Sequence, residues 1–256
     1  MTLTRLALLL LFFVSSHLHA AQVAIIIDDV GYRQSDKQVL QLPPQITLSF
    51  LPFTPLSHEL SKQAYQQGHE IMLHLPMQAL NGKAMGIGGI NSDMNQRAIN
   101  NILDKAIKDI PYAKGVNNHM GSFVTQLEQP MKWLMAELKQ RNMFFVDSIT
   151  TRYTKARSEA DKAHVPNLRR TVFLDNDTSP QGLEHQFQHI IKLSKTHDHF
   201  IVIAHPHLET IEYLKENLGR LKHYNVQVIP VTQLLAARYK NTEGNITASS
   251  SAPLTK

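Results

Sequence analysis

The chain has 256 residues, no cysteine, 26 Lys/Arg against 21 Asp/Glu and a formal net charge of +5. Lacking cysteine, it has neither a disulfide nor a lipid-modified thiol, so packing alone must hold the fold, and a core of this size needs no staple. The positive charge is spread along the chain with no Lys/Arg-rich block, which argues against a nucleic-acid partner and for solubility near an anionic envelope.

Residues 1–20 read as an export signal: Arg5 gives a positive start, residues 7–14 are unbroken apolar, and Ala20 offers a cleavage point. The apolar run is shorter than the roughly 20 residues that cross a bilayer, so no transmembrane segment is expected in the mature protein. An uncleaved anchor is the alternative; either way the folded part is expected outside the cytoplasm. What remains suits one α/β barrel-sized domain over residues 22–240 better than two small ones.

Residues 23–27 form a β-branched run, the pattern of a strand covered on both faces. A second strand is expected at 46–51. A helix follows over 55–67, with Leu56, Leu60 and Ala64 on one face and Gly68 as its stop. After a third strand at 71–75, a Gly- and Asn-rich loop over 76–93 reads as a lid or substrate wall. Helices over 95–110 and 130–141 carry apolar stripes: Ile99, Ile102, Leu103 and Ala106 on the first, Met131, Leu134, Met135 and Leu138 on the second. Further strands are expected at 115–117, 143–146, 171–174, 200–204 and 226–231, with helices at 181–194, 208–221 and 232–239. Strand–helix units in this number predict an α/β fold: a distorted, incomplete (β/α) barrel of about seven parallel strands in a single domain. The tail, 241–256, has little to bury and reads as disordered.

Ligating and titratable residues stand at the C-terminal ends of the expected strands, the edge where such folds build their sites. These are Asp28-Asp29, His74, Asn117-Asn118-His119, Asp147 and His205-Pro206-His207. Adjacent strand residues point to opposite faces, so the two aspartates are expected to have different roles, one on a metal and one as a base. A plain acidic strand exit is the competing reading of the pair, and the histidines outweigh it. His74 and His119 with one carboxylate make a three-ligand zinc set that leaves a position open for water. His205 suits a general acid. His207 is balanced between the site's surround and plain surface. His185 and His189 have a metal-like spacing but fall opposite the stripe of Leu183, Phe187, Ile190 and Ile191, and so read as surface. His197 and His199 belong to the far end of the barrel.

The segments Ile25–Gly31, Gly68–His74, Asn117–Ser122, Phe145–Ser148 and Ile203–His207 resemble the divergent polysaccharide deacetylase family, which covers nearly the whole mature chain. The most specific pieces are Asn117-Asn118-His119-Met120-Gly121-Ser122 and Asp28-Asp29-Val30-Gly31-Tyr32. The resemblance implies a distorted β/α barrel, a zinc or other divalent metal, and hydrolysis of an N- or O-acetyl group on a glycan such as peptidoglycan. It makes Asp28 the general base, Asp29 and His74 metal ligands and His205 the catalytic acid. Asn118, Asp147 and His207 are expected to line the substrate or support the ligands. With the leader and the lack of cysteine, it also points to the periplasm. Two departures stand out: Gln78 occupies the place of the family's second metal histidine, for which His119 is the expected substitute, and the Arg and Pro-Tyr-Gly groove motifs are unrecognisable. The competing readings are a non-catalytic glycan- or partner-binding envelope protein with a vestigial metal site, and a metal hydrolase of some other ester or amide.

Overall fold

The structure is a computed structural model that describes residues 20–250, with side chains described as far as Lys240. The leader therefore lies outside the described residues apart from Ala20, as do the last six positions. Seven parallel strands form a ring: β1 Ala21–Val30, β2 Thr47–Phe50, β3 Ile71–Met77, β4 Ala113–Met120, β5 Phe144–Asp147, β6 Asn167–Phe173 and β7 His199–Ala204. Each bonds to the next, and β1 closes the ring by pairing with both β7 and β2. The distortion lies at this closure. One edge of β1 is divided: Ala21–Val23 pair with a short eighth strand, β8 Val226–Val228, while Ile26–Val30 pair with β2.

The helices are α1 Ser57–Gln66, α2 Gln96–Asp109, α3 Glu128–Gln140, α4 Ala156–Lys162, α5 Pro180–Leu193, α6 Leu208–Asn217 and α7 Val231–Ser250. Two differences from the expected elements have local causes. α4 buries Ala156, Glu159 and Ala160, a face with no large apolar residue and so too faint a stripe to read from sequence. α7 runs to Ser250, well past the expected end at residue 239 and into the stretch read as tail. A helix satisfies its own backbone hydrogen bonds and can extend without burying anything.

Strand alternation divides the core into two layers. Val23, Ile25 and Ile27 of β1 face outward and pack with Leu60 and Ala64 of α1, Leu103 of α2 and Leu134 of α3 in one apolar layer. Ala24 and Ile26 face inward and meet Met72, Phe144, Val146, Leu168, Ile201 and Ile203. Val231, Leu234 and Leu235 at the start of α7 join this inner cluster and plug the barrel's lower end. Buried Glu70 fixes that plug, accepting from Thr232 N at 3.1 Å at the first turn of α7, where a carboxylate suits the helix dipole. Carried upward, the same parity points Asp28, His74, Asn117 and His205 inward. The interior therefore changes from apolar to polar towards the C-terminal rim.

Candidate metal centre at the barrel mouth

On β1 the alternation fails where the site begins. Ile27 pairs with Leu48 and Val30 with Phe50, so Asp28 and Asp29 together oppose the single residue Ser49. Asp29 adopts a left-handed backbone, φ 58°, which aspartate tolerates better than most residues. This bulge turns Asp29 to the same side as Asp28. The expectation that neighbouring strand residues must face apart is thus corrected: His74 Nε2 lies 3.0 Å from Asp29 Oδ1 and His74 Nδ1 lies 3.7 Å from Asp28 Oδ1. Holding a non-glycine residue left-handed costs about 1–2 kcal/mol, a strain typical of functional sites.

His119, from the end of β4, completes a triad. Its Nδ1 is 2.7 Å from Asp29 Oδ1 and 3.2 Å from His74 Nε2. One donor atom each from Asp29, His74 and His119 lie within 4.8 Å of one another. Neither imidazole N–H lines up with Asp29 Oδ1, which is buried without a hydrogen bond. An oxygen crowded by two nitrogens yet unbonded to either fits a cation between them. Ligands at about 2.1 Å from a tetrahedral zinc sit about 3.4 Å apart, so slight outward relaxation would seat the ion. Burial opposes the Asp29 charge, but His119 and His74 outweigh it and hold the carboxyl well below the usual carboxylate range. His74 is buried, which lowers its pKa, yet Asp28 and Asp29 raise it above the ordinary imidazole value. Asp29 and His119 keep 36% and 22% of their side chains open, leaving the triad accessible from the mouth.

Asp28 is buried, and that burial raises its pKa against the opposing charges of His74 and His205. Asn117 Nδ2 donates to Asp28 Oδ1 at 2.7 Å. Asn117 Oδ1 accepts from Ser49 Oγ at 2.7 Å and lies 2.8 Å from His74 Nδ1. His205 is anchored to buried Asp175, at 3.0 Å from its Nδ1 to Oδ1 and 2.6 Å from its backbone N to Oδ2. Burial would lower the His205 pKa, but the Asp175 hydrogen bond and charge, with Asp28 and Asp29 beyond, push it up to about 9.

The three further candidates lie outside this cluster. Asn118 Nδ2 donates to Met120 O at 2.8 Å and its Oδ1 accepts from Ser148 N at 2.9 Å, tying the ends of β4 and β5 together. Asp147 shares the outward parity of Phe145; it accepts from Ile149 N at 2.9 Å and lies 3.9 Å from Arg169 Nε. His207 contributes to a second donor set with Asp175 and His205. However, both Asp175 oxygens are already engaged, Oδ1 by His205 and Oδ2 by His205 N and Thr210, so this set reads as an oriented imidazole–carboxylate pair. Gln78 stays out of the triad: its Oε1 accepts from Ser92 N at 2.8 Å and braces the 76–93 loop, which Ile90 pins to β3. His185 and His189 are exposed on α5, and His199 opens β7 at the far end.

Sequence reasoning missed Ser49 and Asp175 as members of the site, and gave Asn118 the supporting role that Asn117 holds. Asp175 follows an apolar strand just as Asp28 does, so the strand-end rule would have found it. Asn117 is the neighbour of His74 in the β3–β4 register, a pairing visible only once the strands are aligned.

The profile of the family described as divergent polysaccharide deacetylase matches residues 25–235. The chain belongs to this family. A relative of this chain is the uncharacterised protein YibQ of Escherichia coli K12, 35% identical over 217 residues, which cover 84% of this chain and 68% of YibQ. Among solved structures, the uncharacterised protein ATU2773 of Agrobacterium tumefaciens C58 is 20% identical, with a TM-score of 0.80 over 86% of this chain and 91% of that one. A mutant of BA3943, a CE4 family pseudoenzyme from Bacillus anthracis whose enzymatic activity was restored, is 17% identical, with a TM-score of 0.54 over 86% of this chain and 69% of that one. At these identities the two structures speak for the barrel and not for the chemistry.

Proposed function

We propose that this deacetylase-family chain is a periplasmic, metal-dependent hydrolase that removes acetyl groups from a polysaccharide or peptidoglycan sugar. The observation that carries the reading is the convergence of Asp29, His74 and His119 from two strand ends and a bulge on one point, with Asp28 and the His205–Asp175 pair beside it. Held by those three side chains, zinc or a similar ion would polarise an acyl carbonyl and acidify a water.

The protein's own groups divide the proton work. Asp28, with a carboxylate pKa raised by burial, takes a proton from the attacking water. His205 is held protonated at neutral pH by Asp175, whose bond to Nδ1 leaves Nε2 to deliver a proton to the departing amine or alcohol. Two groups of opposite task, with pKa values set apart by their surroundings, are what acyl hydrolysis requires.

A glycan substrate fits the rim. Of the exposed large apolar side chains, Tyr32, Leu80, Ile87, Tyr153 and Leu208 all lie just after β1, β3, β5 and β7, around the mouth. Such side chains stack against the apolar faces of sugar rings while leaving their hydroxyls wet. The test is acetate release from a panel of acetylated cell-wall fragments, alongside metal analysis of protein purified without a His-tag. About one zinc per chain with acetate released supports the reading. Bound metal without acetate from any fragment would replace it with a glycan-binding protein or a hydrolase of another ester or amide.

A further inference from the structure

Asn117 is wholly buried at the centre of the polar cluster, and the division of labour above gives it no task. Its amide has one carbonyl that can only accept hydrogen bonds and one NH2 that can only donate them. The Nδ2 end faces Asp28 at 2.7 Å. Turning the amide over would press a carbonyl oxygen against a carboxylate at that distance, so Asp28 fixes which way Asn117 points. The Oδ1 end then faces Ser49 Oγ at 2.7 Å and His74 Nδ1 at 2.8 Å. Because that oxygen accepts, His74 must carry its proton on Nδ1. The ring's lone pair is left on Nε2, the atom 3.0 Å from Asp29 Oδ1 and 3.2 Å from His119 Nδ1.

From this chain of donors and acceptors we infer that Asn117 is a positioning residue that selects the metal-binding tautomer of His74 and ties it to the orientation of the base, Asp28. The inference rests on the proposed metal site for its purpose, but its geometry stands independently of turnover. The fold supports the assignment. His74 and Asn117 are register partners on β3 and β4, and Ser49 comes from β2 opposite the Asp28-Asp29 bulge. Ser49 is as buried as Asn117, so the amide is held from three strands with no solvent to substitute for a lost partner. Asn118, one residue on, faces the loops and has no part in this relay.

Two substitutions take the relay apart. Asn117→Asp keeps an oxygen for His74 Nδ1 but replaces the donor towards Asp28 with a second carboxylate oxygen. Asn117→Leu removes both ends at similar volume. Zinc affinity, measured by competition with a chromophoric chelator, is expected to stay within about threefold of wild type in Asn117→Asp and to fall about 10–100-fold in Asn117→Leu, the usual cost of losing a ligand's outer partner. Acetate release, where present in wild type, is expected to fail in both. Equal loss of zinc in the two variants, or wild-type affinity in Asn117→Leu, overturns the inference. Should Asn117→Leu fail to fold, the wild-type protein decides alone. Long-range 1H–15N correlation spectra of metal-free protein, at a pH that leaves the ring neutral, are expected to show His74 as the Nδ1–H tautomer. Finding the Nε2–H tautomer overturns the relay whether or not the protein is a deacetylase. Finding Nδ1–H in a protein that releases no acetate would sink the proposed reaction and leave the relay standing.

Discussion

Replacing Asp175 with asparagine removes the carboxylate most responsible for keeping His205 protonated while preserving much of its shape. In the native site His205 is lifted from 6.5 to about 9, against its own burial. With Asp175 neutral, its value should fall back to about 6.5 or below, because burial then meets only the more distant Asp28 and Asp29. At pH 7.5 the protonated fraction drops from about 97% to about 10%, roughly tenfold less general acid. The shift of about 2.5 units corresponds to about 3 kcal/mol, or about 2 kcal/mol allowing for the part of the ring open to solvent. Its sign follows from linkage. The stabilisation is complete below about pH 6.5, where folded and unfolded chains both bind the proton, and disappears as pH rises through about 9. Histidine-selective NMR titration of wild type and Asp175→Asn reads the two midpoints directly, and urea unfolding between pH 6 and 10 reads the energy. An unchanged His205 midpoint in Asp175→Asn, or a stability gap that widens as the solution becomes alkaline, would refute the reasoning.

Asp29→Ala is expected to abolish stoichiometric zinc, whereas Asp28→Ala should keep the metal and stop acetate release; elemental analysis with an acetate assay separates them. His119→Ala should weaken zinc binding by at least about 100-fold, since it removes one of three ligands, while Gln78→Ala leaves affinity at the wild-type level because its amide only braces the 76–93 loop. Calorimetric titration of both variants checks this pair. Inside the barrel a Cβ on Gly115 would come within 2.2 Å of the Phe144 ring. Gly115→Ala should therefore cost about 1–3 kcal/mol through overpacking, seen as a lower urea midpoint with little change in slope.

Much of the architecture could be read from periodicity, because parallel strands buried on both faces are continuous apolar runs and their C-terminal ends are marked by polar residues. That logic located Asp28, His74, His119 and His205 and predicted a barrel of about seven strands. What escaped it depends on backbone geometry and register. Nothing in the letters Asp28-Asp29 announces a left-handed residue, so the rule of opposite faces sent the two carboxylates apart where a bulge brings them together. Asn117 and Asn118 are chemically identical, and only strand parity decides which joins the cluster and which ties loops. Asp175 was legible but overlooked. α4 was not legible, its buried face being two alanines and Glu159.

The stopper that α7 forms has a consequence for traffic. With Val231, Leu234 and Leu235 filling the lower end of the barrel beneath the packed inner layer, the interior is a stoppered core and not a tube. Under the proposed function a long polymer would lie across the brim instead of threading through. Selectivity would then rest with the loops around that brim, while the sealed half below keeps the molecule folded.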